Sequence, residues 1–479
     1  MRHLLLAALA LATAVPTGFA AHAAIAAERH AEGLEGKWQG VIAVSGIQLR
    51  AALEITKKAP DTYSGVFISL DQGAQKLPLD TVTVKGDAVH FALNIAQLTW
   101  DGTINAAGTE LTGKMTQGGS TIPLNFKRGE AAAPQKRPQE PTKPYPYTEV
   151  EVLYDNASAG TKIGGTLTVP QGKGPFPAAL LITGSGQQDR NEALLGHKPF
   201  LIIADYLTRH GIAVLRVDDR GTGTSTGNFA KSTTADFATD VEAGVAFLKS
   251  RSEIRHDRIG LIGHSEGGII APMVAARSKD VGFIVMLAGT GVDGGTILLA
   301  QNELIVRANG APDAAVKATI DSQKRMIQIV RTSRDEAQAE NELRAAAEEM
   351  MKAAGGSADK ATQEKAVKAA VAGYSGAWMR YFITYDPAPA LHKVTCPVLV
   401  MNGSKDLQVP PTLNLPVIET ALKESGNKDV TIKLLPGLNH LFQTCKTGSP
   451  SEYGVIEETF APAALAVIGD WINAHCATK

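Results

Sequence analysis

The chain has 479 residues, of which 44% are hydrophobic and 20% charged, a length that suits two domains and a composition typical of soluble globular proteins. Lys plus Arg (47) balance Asp plus Glu (48), so the charge points to neither nucleic acid nor an acidic partner. A lone small module is excluded.

Residues 1–23 begin with Arg2 and His3, continue through an apolar run from Leu4 to Val15 and end in small residues around Ala21-His22-Ala23. This is a secretory signal-peptide pattern, so the protein is expected to be exported, to the periplasm or beyond. The run is short of the roughly 20 apolar residues that span a bilayer. No later stretch is long and apolar enough either, and stable membrane insertion after cleavage is not expected.

Residues 33–128 alternate short segments such as IQLRAALEIT, TYSGVFIS and AVHFALN with Gly, Asp and Asn turns. That spacing predicts a small all-β domain, a barrel or a sandwich. Trp38 and Trp100 suit its core, with a ligand cavity as the alternative. Residues 129–147 hold five prolines within EAAAPQKRPQEPTKPYP and read as a semi-rigid linker.

From 148 to 479 the pattern changes to apolar strands separated by amphipathic helices: AALLIT (178–183), IAVLRVD (212–218), RIGLIG (258–263), GFIVMLA (282–288) and PVLVMNG (397–403). Apolar strands alternating with helices imply an α/β domain with a mostly parallel sheet covered on both faces. Residues 296–375 are rich in Ala, Glu, Lys and Gln, without a strand pattern, and predict a helical cap insertion.

GHSEGG follows the strand RIGLIG and opens the apolar stretch GGIIAPMVAA, which gives strand, sharp turn and helix around Ser265. A serine there is a candidate nucleophile, because Gly263 and Gly267 permit the tight turn and a helix N-terminus favours developing negative charge. Serine needs a base, and the base an acid, each on a loop after a later strand. His440 in GLNHLF and Asp406 in GSKDLQVP occupy such loops, in the order serine, acid, histidine. His392 precedes a strand, His475 lies on the terminal helix, and Asp386 reads as a turn or cap residue. For an oxyanion, the backbone N–H of Glu266 and that of Ser185, or of Gly186 beside it, are the candidate donors, Ser185 and Gly186 lying in the glycine-rich GSGQQDRNE loop.

GSGQQDRN, VDDRGTGTSTG, GHSEGG, YDPAPALHKVTCPVLVMNGSKDLQVP and GLNHLFQ together resemble the α/β-hydrolase superfamily, and within it exported bacterial serine esterases near the dienelactone-hydrolase and prolyl-oligopeptidase branch. The resemblance covers most of 148–479 and implies a Ser265, Asp406 and His440 triad with Ser185 and Glu266 as oxyanion donors. Two departures stand out. Thr183-Gly184 replaces the His-Gly of many relatives, and serine stands where dienelactone hydrolases have cysteine. In VDDRG, the charges of Asp218, Asp219 and Arg220 are expected to satisfy one another near a buried strand end.

Such a triad implies acyl transfer through an acyl-enzyme on a small-molecule carboxylic ester of short to medium acyl chain, with no cofactor and no metal. A peptidase of prolyl-oligopeptidase type is the second reading, although residues 33–128 are too few for a four-bladed propeller at about 40 residues per blade. Thioester hydrolysis fits poorly with export, and a silent binding protein fits poorly with a complete triad. Of three cysteines, Cys445 and Cys476 are the candidate disulfide, with three buried thiols as the alternative.

Overall fold

Alternation of apolar and polar residues builds the first sheet. The computed structural model describes residues 33–477 apart from 45–46, 60–61, 71–75, 118–119, 131–135 and 354–359, so the expected signal peptide lies outside the described residues. Ten strands form one antiparallel sheet: β1 (Gly36–Val44), β2 (Ile47–Ala59), β3 (Thr62–Ser69), β4 (Lys76–Pro78), β5 (Thr81–Lys85), β6 (Ala88–Leu93), β7 (Leu98–Ile104), β8 (Glu110–Gln117), β9 (Ser120–Pro123) and β10 (Phe126–Arg128). The sheet runs β4-β3-β2-β1-β10-β8-β7-β6-β5, with β9 paired to β8, and curls until β3 packs near β5. Its inner face carries Trp38, Leu53, Phe91, Trp100 and Phe126, and both indoles are core residues: Trp38 donates to the Leu34 carbonyl (2.9 Å) and Trp100 to that of Leu124 (2.7 Å).

This core is not closed by its own strands. Leu195, Leu441 and Tyr453, all from later loops, pack into it. The proline-rich stretch lies along the same loops: Arg137 donates to the carbonyls of Ile456 (2.7 Å), Gly454 (2.9 Å) and Leu195 (3.0 Å), and Gln139 to that of Phe460 (2.7 Å).

The second sheet has eight strands, β11 (Tyr147–Asn156), β12 (Thr161–Pro170), β13 (Phe176–Ile182), β14 (Ala213–Val217), β15 (Ile254–His264), β16 (Phe283–Leu287), β17 (Val398–Gly403) and β18 (Val430–Leu435), in the order β11-β12-β14-β13-β15-β16-β17-β18. β11 and β12 run antiparallel at one edge, and the rest from β14 to β18 are parallel. Helices α1 (Pro199–Arg209), α2 (Thr234–Lys249) and α3 (Gly267–Ala275) follow strands in the first half of the sheet. Between β16 and β17 five inserted helices, α4 (Gly294–Ala308), α5 (Asp313–Thr332), α6 (Glu336–Ala353), α7 (Lys360–Tyr374) and α8 (Ala377–Thr384), precede the single turn of α9 (Ala388–Leu391). They share a core of their own that includes Met326, Ile327, Leu343 and Val371. Helices α10 (Pro411–Glu424) and α11 (Pro462–Cys476) complete the chain. Residues of α2, α3 and α10 pack on one face of the sheet, and residues of α1 and α11 on the other, so the central strands are buried on both sides.

Two expectations are corrected. All three cysteines are free thiols: Cys476 points from α11 into the core, while Cys445 lies against the Gly437 carbonyl. The charges of Asp218, Asp219 and Arg220 do not satisfy one another. Asp218 pairs with Arg190 (2.7 Å) and Arg220 with Asp240 (2.5 Å), whereas Asp219 is held by neutral donors, the Thr183 hydroxyl (2.8 Å) and the Gln188 N–H (2.7 Å). Adjacent side chains in this turn point to different neighbours, so proximity in sequence does not become contact.

Candidate active site

Ser265 sits between the end of β15 and the start of α3 with φ +54°, a conformation that few side chains adopt without cost. The turn is held by the Ser265 N–H bonding the Leu287 carbonyl (2.8 Å) and the Gly268 N–H bonding the Ser265 carbonyl (2.9 Å). Its flanking glycines are required. A Cβ on Gly263 would lie 1.9 Å from the Gly267 carbonyl oxygen, and one on Gly267 would lie 2.2 Å from that of Ile182. A Cβ on Gly184 would approach the Ser265 Cβ to 3.2 Å, so the loop after β13 runs directly beside the serine.

His440 and Asp406 meet. The His440 Nδ1 lies 2.8 Å from the Asp406 Oδ2, with both side chains buried. Asp406 stands just after β17, where its other oxygen accepts the N–H groups of Gln408 and Val409, each at 2.8 Å. His440 stands after β18 in a loop folded around buried Asn439, whose side-chain oxygen accepts from the N–H of Leu441 (3.0 Å) and of Gln443 (2.9 Å). The His440 loop reaches the serine turn through His264, whose ring is 4.8 Å from that of His440 and whose Nε2 is 3.0 Å from the His440 carbonyl oxygen.

Ser185 lies next to Gly184 in the loop beside Ser265, and Glu266 follows the serine. Neither backbone N–H donates a hydrogen bond among the described residues, whereas the Gly184 N–H is taken by Glu192 (2.7 Å). Gly186, the other candidate donor, has φ +96°. The rival residues lie elsewhere: His392 contacts Glu424, His475 contacts Asp429, and Asp386 caps the Ala388 N–H.

Sequence reasoning missed the side chain of Glu266. Its carboxylate is buried, accepts from the Thr234 hydroxyl (2.7 Å) and from the indole N–H of Trp378 on α8 (2.8 Å), and so joins the serine turn to the inserted helices. Burial pushes its pKa up, against the pull of the Thr234, Trp378 and Ser185 side chains. Asp219, half-buried and held by neutral donors, is raised well above the usual carboxylate range by desolvation, against the bonds from Gln188 and Thr183. A pocket lined by Thr183, Gly184, Asp219, Phe229, Phe237 and Glu266 opens alongside. Also unforeseen was Glu192, whose Oε1 lies 2.9 Å from the His264 Nδ1. Position was the available signal, since His264 and Glu266 flank Ser265 directly.

Residues 199–444 match the protein family described as "Serine aminopeptidase, S33". The chain belongs to that family. Its strand order and its serine turn are those of an α/β hydrolase. It is 27% identical over 309 residues to the esterase EstD of Thermotoga maritima, a match covering 64% of this chain and 65% of that protein, so the chain spans somewhat under two thirds of the relative's length. Among solved structures, similarity extends to the Pyrococcus furiosus esterase Pf2001 (13% identity, TM-score 0.41, 70% of this chain and 92% of that one). It extends also to Est1E from Butyrivibrio proteoclasticus (15% identity, TM-score 0.39, 68% and 99%).

Proposed function

We propose that the protein is a serine carboxylic-ester hydrolase in which Ser265 is the nucleophile, His440 the base and Asp406 the acid that orients it. The observation that carries this reading is the assembled His440–Asp406 pair, joined by His264 to a serine in a strained strand-to-helix turn. Ser265 Oγ attacks the acyl carbonyl while His440 takes its proton, and Asp406 holds the imidazole in the tautomer that leaves Nε2 free to accept. The N–H groups of Ser185 and Glu266 stabilise the oxyanion. His440 then returns its proton to the leaving alcohol, and water cleaves the acyl-enzyme by the same route.

Helices α4 to α8 act as the cap, reached from the nucleophile turn through Glu266 and Trp378, and the pocket beside Glu266 receives acyl groups of short to medium length. The chain divides at its proline-rich stretch, with residues 33–128 as the β domain, 129–147 as linker and 148–479 as the hydrolase. Residues 1–23 direct export to the periplasm or the medium. The likeness to EstD supports ester cleavage. The family description favours one second reading, an aminopeptidase.

Hydrolysis of p-nitrophenyl acetate and butyrate, set against amino-acid anilides, tests both. Wild type is expected to prefer the esters and Ser265→Ala to lose turnover by a factor of at least about 10³. Undiminished turnover in Ser265→Ala would remove the nucleophile assignment, and faster anilide cleavage would favour the aminopeptidase.

A further inference from the structure

Glu192 and His264 are both buried beside the reacting groups, and acyl transfer by the triad uses neither. Their hydrogen bonds nonetheless meet all three moving parts of the chemistry. Glu192 Oε1 accepts the Gly184 N–H at 2.7 Å, which fixes the loop that carries Ser185. The same oxygen lies 2.9 Å from His264 Nδ1. His264 is the last residue of β15, next to Ser265, and its Nε2 lies 3.0 Å from the backbone carbonyl oxygen of His440.

Donor counting decides the charge state. A carbonyl oxygen only accepts, so Nε2 must carry a proton. With Glu192 as a carboxylate, which can only accept, Oε1 takes the Gly184 N–H and the His264 Nδ1–H alike, and Nδ1 also carries a proton. A neutral imidazole has one N–H and cannot meet both demands. The titratable groups facing the ring are Glu192 at Nδ1, His440 across the ring contact and Asp406 behind His440. Burial opposes charging His264, but Glu192, the His440 carbonyl and Asp406 together outweigh it and hold the His264 pKa above its ordinary value.

We propose that His264 is a standing imidazolium paired with the Glu192 carboxylate, and that this buried ion pair is a positioning strap holding the oxyanion loop, the nucleophile turn and the base loop in one register. The inference rests on Ser265 as nucleophile and His440 as base. The strap also sets its cation against the base, with the His264 ring 4.8 Å from that of His440. Removing one partner leaves the other as an uncompensated buried charge, whereas removing both does not.

Nitrogen-15 NMR of ring-labelled histidine in the full-length protein tests the charge, with the His264 signals assigned by their loss in His264→Gln. The expected result is two protonated ring nitrogens at pH 7. A bare ring nitrogen on His264 at pH 7 would overturn the proposal, whatever the activity. Kinetics test the positioning. His264→Gln is expected to lower kcat about 10-fold to 100-fold with little change in KM, because the oxyanion loop, the nucleophile turn and the base loop lose their common anchor. The double variant His264→Gln/Glu192→Gln should be more stable to denaturant than His264→Gln, because no buried charge is left unpaired, and a kcat in His264→Gln equal to that of wild type would sink the positioning role. Ser265→Ala run in parallel keeps the two failures apart, since the NMR result on His264 stands or falls independently of which residue is the nucleophile.

Discussion

Glu266 accepts the indole N–H of Trp378 at 2.8 Å, and this bond ties the residue after Ser265 to the last of the five inserted helices. Trp378 also stacks on Phe382 with ring centroids 5.1 Å apart. Trp378→Phe keeps an aromatic ring for the stack and removes only the donor. A hydrogen bond to a carboxylate contributes about 1.5 to 3 kcal/mol, so the variant should unfold at lower denaturant by that amount. Its acyl-chain preference across a graded p-nitrophenyl ester panel should broaden as the helices loosen. An unchanged midpoint together with an unchanged preference would show that the tether has no effect.

Asp406→Asn offers a second measurement. The asparagine oxygen can still accept the N–H groups of Gln408 and Val409, while its amide turns toward His440 Nδ1. Nδ1 must then accept, the ring proton moves to Nε2, and His440 loses its capacity as a base. A fall in kcat of about 10³ to 10⁴ with a KM within a few-fold of wild type is expected from steady-state kinetics.

Asp219 yields a dependence on pH. Its folded pKa is raised by burial, so its contribution to stability is greatest below the unfolded carboxylate value of about 3.9 and is lost as pH rises through the folded pKa. Asp219→Asn cannot titrate. The stability of wild type minus that of the variant should therefore decline steadily from pH 4 upward in paired denaturant titrations, and a difference that grows with pH would contradict the assignment.

Leu441 directly follows His440 and is buried in the core of the first sheet, together with Tyr453. Tyr453 in turn receives the Gln408 side-chain amide at 3.0 Å, two residues beyond Asp406. Leu441→Ala should cost about 2 to 5 kcal/mol of stability through the cavity it opens. Calorimetry should show both sheets melting in one transition, in wild type and in the variant. At temperatures well below that transition kcat should still fall, because the His440 loop loses its anchor.

Thiol chemistry supplies the last measurement. Burial pushes the Cys396 thiol up to about 12 and that of Cys476 up to about 11, and raises Cys445 as well. Few thiolates exist at neutral pH, and the folded protein should resist iodoacetamide. Unfolded without reductant, it should titrate three thiols, and a count of one would restore the Cys445 and Cys476 pair.

Local pattern accounts for what is legible in the sequence. The five apolar runs of the second sheet announce themselves because strands buried on both faces need continuous hydrophobic residues, and the Ser265 turn does so because two glycines flank it. β11 and β12 are harder to see for the complementary reason. EVEVLYD alternates like the strands of the first sheet, and an antiparallel edge pair lacks the parallel signature. Adjacency in VDDRG suggests that its charges pair with one another, but Arg190 and Asp240, the actual partners of Asp218 and Arg220, are brought in by distant folding. Glu192 and His264 are 72 residues apart, and nothing in either neighbourhood encodes the other.

The borrowed side chains in the first sheet bear on how the protein is made. A ribosome releases the amino-terminal part of a chain first, and such parts commonly fold while the remainder is still being synthesised. Here the β strands emerge early with one end of their apolar interior uncovered, and Leu195, Leu441 and Tyr453 arrive later, the last of them hundreds of residues behind the strands it covers. Until then the nascent chain carries an open hydrophobic mouth that invites aggregation or a chaperone. The finished fold seals that mouth in part with Leu441, the residue that follows His440 in the second sheet's last loop.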